Sequence, residues 1–142
     1  MNYVINGNLT AQKKATFTSS QISVKFAINS NQNHLPNPVE LLLGAFAACC
    51  LKNIDRFSET LKFNYELVRI EVLGERQDKP TKIIKINYVI FIKSEDASLN
   101  IKLLHKNLKK IWYNLLYTKR DLFYLCRNKI HRLTFSYSLN VL

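Results

Sequence analysis

Two adjacent cysteines are the residues best placed to do chemistry, in the stretch "NPVELLLGAFAACCLKN", residues 37–53. Leu41 to Leu51 carry no charge, and Cys49 and Cys50 close that run just before the polar residues resume. The reactive form of cysteine is the thiolate, so the question is which thiol has surroundings that favour it. On a helix, residues three, four and seven apart share a face. Cys50 then lines up with Leu43, Phe46, Ala47, Ile54 and Phe57, a core stripe. Cys49 lines up with Leu42, Ala45, Asn53 and Arg56, so its stripe leads toward an amide and a guanidinium. Helical side chains lean toward the N-terminus, which directs Arg56 toward Cys49 and favours the thiolate there. The alternative is that both thiols only fill space, as free cysteines often do.

The helix that must position these residues has clear punctuation. Asn37 is an N-cap, Pro38 takes the first helical position, and Glu40 stands at the third, the pattern of a capping box. The helix is expected to run to about Leu61. Apolar residues cover every face of its first half, which predicts a central helix buried all round. Upstream, "ISVKFAI" alternates with period two, and the Asn-Gly of "INGN" predicts the turn of an N-terminal hairpin. Downstream, "ELVRIEVLGE" and "TKIIKINYVIFI" read as strands joined through "RQDKPT". Leu104, Leu108, Ile111 and Leu115 recur at helical spacing with lysines opposite, predicting an amphipathic helix over Leu99–Tyr117. "LTFSYSLNV" closes the chain as a strand. The expectation is a single α+β domain over residues 1–142: N-terminal hairpin and sheet, buried central helix, β-hairpin, second helix and C-terminal strand.

Bulk properties narrow the function. Apolar residues make up 47% and charged ones 22%, an ordinary folding composition. The opening residues lack the basic start and apolar core of a secretory signal, which predicts a cytoplasmic protein with no membrane partner. Three cysteines without framework spacing argue against disulfide scaffolding. Three glycines cannot form a Gly-rich phosphate cradle. The three histidines are scattered, and neither HExxH nor CxxC occurs, so no metal or other cofactor is expected. No serine lies in a Gly-x-Ser-x-Gly elbow. The net charge of +11 is uneven: residues 97–142 hold nine Lys/Arg against Asp121 alone. That raises nucleic acid as a partner, with Trp112, Tyr113, Tyr117, Phe123 and Tyr124 as stacking groups. The plainer reading, which ranks above it, is a solvated basic helix face.

Residues 37–53 resemble the signature of the OsmC-like family (osmotically inducible and organic hydroperoxide resistance proteins). There Asn-Pro opens a buried helix and a reactive cysteine lies eleven residues past the proline, which here is Cys49. The element order and "VLGERQDKPTKI" extend the similarity over roughly residues 22–117. The resemblance implies an intertwined homodimer. It also implies a peroxidatic thiolate that reduces an organic hydroperoxide to an alcohol and becomes a sulfenic acid, the first rung of cysteine oxidation. A second cysteine then resolves it, and external dithiols, including lipoyl groups, supply electrons.

The sequence departs from that pattern at three places. The glutamate expected directly after the proline is replaced by Val39, with Glu40 one residue on. No arginine precedes Arg56, so a thiolate partner from the N-terminal strands would have to be Lys13, Lys14 or Lys25, none of which offers a planar fork. The second helix lacks the Cys-Pro step that carries the resolving thiol; Cys126 in "LFYLCRNKIH" is either a displaced resolving thiol or an ordinary buried cysteine. His105, in "LLHKNLKK", has no role beyond lining a pocket. Three functions follow for testing. The first is hydroperoxide reduction by Cys49, with Glu40, Arg56 and Cys126 as accessory candidates. The second is a catalytically idle homodimer holding a small apolar ligand, and the third is nucleic-acid binding through the basic C-terminal third.

Overall fold

A computed structural model describes residues 4–19, 21–29, 31–115, 118–119 and 130–139, with residues beyond Lys110 described by backbone alone. The chain divides into two compact units, Met1–Gly44 and Ala45–Leu142.

In the first unit, β1 (Asn6–Leu9), β2 (Ala15–Thr18) and β3 (Ser23–Phe26) form an antiparallel three-stranded sheet in that order. The N-terminal hairpin is present, although its turn is not at Asn6-Gly7. Gly7 pairs with Phe17 inside the ladder, and the chain reverses at Thr10–Lys14. There the Lys13 N–H donates to the Thr10 carbonyl at 2.9 Å, and Lys13 takes a left-handed conformation at φ 58°. This is the three-residue hairpin loop in which a turn is followed by one left-handed residue. Residues 15, 17, 24 and 26 share one face, with the Phe17 and Phe26 rings 6.2 Å apart. The β3 strand is shorter than its alternation suggests: Ile22 and Ile28 lie outside it and are exposed.

Helix α1 (Pro38–Leu61) begins as the sequence predicts. The Glu40 N–H donates to Asn37 Oδ1 at 3.0 Å and the Asn37 N–H donates to Glu40 Oε2 at 2.8 Å, a complete capping box. It ends with Lys62 in the left-handed region (φ 54°), and the Phe63 N–H reaches back to the Ser58 carbonyl at 3.1 Å. That is the Schellman closure, with buried Phe63 as its apolar anchor.

In the second unit, β4 (Leu67–Asp78), β5 (Thr81–Lys93), α2 (Ile101–Leu115), β6 (Thr118–Lys119) and β7 (Ile130–Leu139) follow. The sheet order is β4-β5-β7-β6, with antiparallel neighbours. Pairing passes from Glu75↔Lys85 to Arg76↔Ile83, leaving Ile84 as the extra residue of a bulge. The β4–β5 hairpin turns at Lys79-Pro80, where the peptide is cis. Alternation in β5 buries Ile86, Tyr88, Ile90 and Ile92, and spacing by four in α1 buries Phe46, Cys50 and Ile54. The Phe46 ring meets Tyr88 edge-on at 5.1 Å, which fastens the helix to the sheet.

Two differences from the sequence reading stand out in the helices. The first half of α1 is not buried all round: Leu42 is 53% exposed, and Ala45, Ala48 and Cys49 are exposed on the flank opposite Phe46, Cys50 and Ile54. An apolar pattern marks a face whose burial is favourable, and within this chain nothing described covers this flank. Helix α2 starts at Ile101, two residues late. Asn100 caps it, with its Oδ1 accepting from the Leu103 N–H at 3.0 Å, and Leu99 belongs to a turn set by Asp96. That helix buries Leu104 and Leu108 and exposes Lys102, Lys106 and Lys110.

That turn is a junction. Asp96 accepts from the Asn64 N–H (2.7 Å) and side-chain amide (3.2 Å), and from the Ser98 N–H (2.8 Å) and hydroxyl (2.6 Å). The Ser94 hydroxyl donates to the Asn64 carbonyl at 2.6 Å, and the Ser98 hydroxyl shares its one proton between Asp96 and the Lys62 carbonyl, which lies 2.8 Å from the Ser98 oxygen. The exit of α1, the entry to β4, the end of β5 and the approach to α2 are thereby tied together.

Candidate functional site

Continuous helical geometry through residues 38–61 gives the adjacent thiols of α1 opposite settings. Cys50 is 0% exposed, in line with Phe46 and Ile54. Burial in apolar surroundings pushes its thiol well above the ordinary cysteine value, and the neighbouring Cys49 adds to the rise. A thiol held protonated is a poor nucleophile, so Cys50 is packing material. Cys49 is exposed and free. Of the two, only Cys49 offers its sulfur to a solute.

Its neighbours are partly those the helical register predicts. Asn53 donates from Nδ2 to the Cys49 carbonyl at 2.8 Å, tying the amide to the backbone and leaving the sulfur uninvolved. Sequence reasoning placed Asn53 on the Cys49 stripe without anticipating that bond, although a polar side chain four residues on is the usual source of one. Arg56 places its guanidinium carbon 5.2 Å from the centroid of the Phe57 ring, a cation–π contact. No hydrogen bond or ion pair joins it to Cys49. Glu40 is engaged in the capping box at the first turn of α1. Cys126 lies outside the described residues, as do Tyr117, Phe123 and Tyr124.

Two further groups are held in unusual states. His105 is buried on α2, and desolvation, assisted by the Lys109 charge, lowers its pKa to about 4, so it is neutral near pH 7. Next to the α1 exit, the Tyr65 hydroxyl donates to Asp55 Oδ1 at 2.7 Å, which raises the tyrosine pKa. Among the described residues no group of three or more His, Cys, Asp or Glu is placed to hold a metal ion, and no helix is long and apolar enough to cross a membrane.

Comparison with known proteins bears on the same helix. Residues 29–115, which include the capping box, both thiols, the β4–β5 hairpin and α2, match the model of the OsmC-like protein family. The crystal structure of an OsmC-like protein from Mycoplasma pneumoniae superposes with a TM-score of 0.64 at 20% identity, covering 80% of this chain and 82% of that one. A protein from Psychrobacter arcticus 273-4, described as an osmotic stress induced and detoxification response protein, superposes with a TM-score of 0.59 at 17% identity over 80% of each chain. No curated protein sequence gives a significant match. At these identities the structures establish likeness of fold. The family match, which spans more than half of the residues, makes this chain a member of the OsmC-like family.

Proposed function

We propose that this protein is a thiol-dependent organic hydroperoxide reductase that works as a homodimer in the cytoplasm, with Cys49 as the peroxidatic residue. The observation that carries this reading is the contrast within the thiol pair: Cys49 is exposed at the family's cysteine position, while Cys50 is sealed in the core. In the reaction, the Cys49 thiolate attacks the terminal oxygen of R–O–OH. A sulfur–oxygen bond forms as the oxygen–oxygen bond breaks, the alkoxide leaves and takes a proton as ROH, and Cys49 becomes a sulfenic acid. An external dithiol closes the cycle. Its first thiol attacks the sulfenic sulfur, releasing water and forming a mixed disulfide; its second displaces Cys49 and leaves the reductant as a disulfide. Each turnover thus reduces one peroxide and oxidises one dithiol. The exposed Leu42, Ala45 and Ala48 beside Cys49 support pairing with a second copy, because apolar helix surface is more stable covered than wet.

The test is whole-protein mass spectrometry after brief exposure to a near-stoichiometric alkyl hydroperoxide with a sulfenic-acid trap, on wild type, Cys49→Ser and Cys50→Ser. Fast trapping lost only in Cys49→Ser supports the proposal. Reaction no faster than that of a free thiol in all three sinks it.

A second reading has its own support. Glu40 is occupied by its capping role, Arg56 lies over Phe57, and Val39 stands where peroxidase members carry glutamate. These observations favour a catalytically idle homodimer that holds a small apolar ligand, whose affinity would survive Cys49→Ser.

A further inference from the structure

The first unit contains a cavity of about 450 Å³ lined by residues of that unit alone. One wall is the face of the β2–β3 pair opposite Phe17 and Phe26. Thr16 and Lys25 are cross-strand partners there, and Lys14, just ahead of β2, also lines the cavity. The opposite wall is the loop after β3, which contributes Gln32, His34 and Leu35. Ala15, buried at 4% exposure between Lys14 and Thr16 in the chain, also borders the space.

The loop is held over the sheet by specific bonds. Gln32 accepts from the Ile28 N–H through Oε1 at 3.0 Å and donates through Nε2 to the Lys13 carbonyl at 3.1 Å. The Ala27 N–H donates to the Pro36 carbonyl at 2.9 Å, and the Leu35 N–H donates to the Gln32 carbonyl at 2.9 Å. Gln32 thereby fastens the loop to the β1–β2 turn at the left-handed Lys13 and fixes the width of the cavity.

Charge defines what fits. The sequence contains no Asp or Glu before Glu40, so Lys13, Lys14 and Lys25 share the first unit with no acid ahead of α1. Neither Lys14 nor Lys25 forms an ion pair among the described residues. Two ammonium groups bordering one concavity repel each other and attract an anion, and a low-dielectric wall strengthens that field. Beside the polar Thr16, Gln32 and His34, the lining offers apolar surface from Leu35 and the methylene stems of the lysines. A volume of this size falls within the range of small-molecule sites.

We propose that this cavity binds an amphipathic organic anion, with its charged head between Lys14 and Lys25 and its apolar body along Leu35 and the lysine stems. Thr16 and His34 complete the polar rim. The proposal rests on the first unit alone and is independent of any reaction at Cys49.

Calorimetric titration of the full-length protein at low salt with octanoate, octan-1-ol and inorganic phosphate tests it, repeated on Lys14→Gln/Lys25→Gln and on Cys49→Ser. Octanoate is expected to bind at least tenfold more tightly than octanol or phosphate, and to lose at least tenfold in affinity in the double lysine variant. Cys49→Ser should bind it as wild type does, whether or not that variant has lost reactivity toward peroxide. Both lysines are exposed, so the variant folds, which its unchanged circular dichroism would verify. Equal binding of octanoate and octanol, equal binding of phosphate, absence of octanoate binding, or unchanged affinity in the double variant would each overturn the proposal.

Discussion

The Asn53 side-chain amide and the Cys49 carbonyl oxygen are 2.8 Å apart, so the residue below the exposed thiol is spent on the helix backbone, and among the described residues no hydrogen bond engages the sulfur. Cys50, one residue on, has no exposure at all. Thiol modification should therefore separate them. At neutral pH, iodoacetamide is expected to alkylate Cys49 at least tenfold faster than Cys50, which reacts only when the core opens. Peptide-level mass spectrometry, which also resolves Cys126, measures this directly; comparable rates at positions 49 and 50 would contradict the core assignment.

The capping box yields a prediction that separates structure from catalysis at Glu40. Asn37→Ala removes the acceptor for the Glu40 N–H and should cost about 1 kcal/mol of stability, the usual loss of an N-cap, read by urea unfolding. Glu40→Gln retains an oxygen to accept from the Asn37 N–H and should keep both stability and peroxide reactivity within about twofold, since the box accepts Glu or Gln. A large loss of reactivity with stability intact would make Glu40 part of the chemistry.

Acid stability should fall in two windows set by different groups. The His105 pKa is lowered from 6.5 to about 4 by burial first and the Lys109 charge second, so the folded state resists a proton that the unfolded chain accepts. Stability is then fully present above the unfolded value and is lost as pH falls from about 6.5 to about 4, by on the order of 3 kcal/mol. The Asp96 pKa is lowered from 3.8 to about 2, chiefly by its Ser98 hydrogen bonds and then by Asn64, so its contribution is present above 3.8 and drains away as pH falls toward 2. Urea midpoints against pH for wild type, His105→Gln and Asp96→Asn should show the first slope flattened in one variant and the second in the other.

Ala48 tests the exposed flank of α1. Ala48→Glu places a charge on that flank, away from Phe46 and Cys50, and should leave the folded protomer intact. If a second copy covers this face, sedimentation velocity will show the wild type as a dimer and the variant shifted to monomer by tenfold or more in dissociation constant. A wild-type monomer, or an unaffected dimer, would count against pairing through this flank.

Much of this architecture is legible in the residues themselves. Asn37, Pro38 and Glu40 mark the start of α1 because capping is local chemistry, and the buried line of Ile86, Tyr88, Ile90 and Ile92 follows from period-two alternation. Where the reading failed, the cause is a long-range or competing interaction. Gly7 lies in a ladder opposite Phe17 because the reversal is made by Lys13, a residue with no turn signature of its own. Arg56 belongs to the Cys49 stripe by register, and the adjacent Phe57 ring holds its guanidinium. The cavity beside Lys14 and Lys25 arises because Gln32 fixes a loop over a sheet, and no spacing rule connects residue 32 with residue 13.

The junction at Asp96 sets which lengths of chain are negotiable. Four segments of the second unit converge on one carboxylate and two serine hydroxyls, so the residue counts between Lys62 and Asn64 and between Ser94 and Ser98 are fixed to the residue. At the far end of the β4–β5 hairpin, Lys79 and Pro80 are exposed and neither is bonded into that knot. An epitope or a fused domain inserted there would hang from a distal tip, whereas the same insert beside Asp96 would pull the end of one helix away from the beginning of the next. The protein therefore has a rigid hinge post and a free gatepost, and homologues or engineered variants that differ in length should differ at the second.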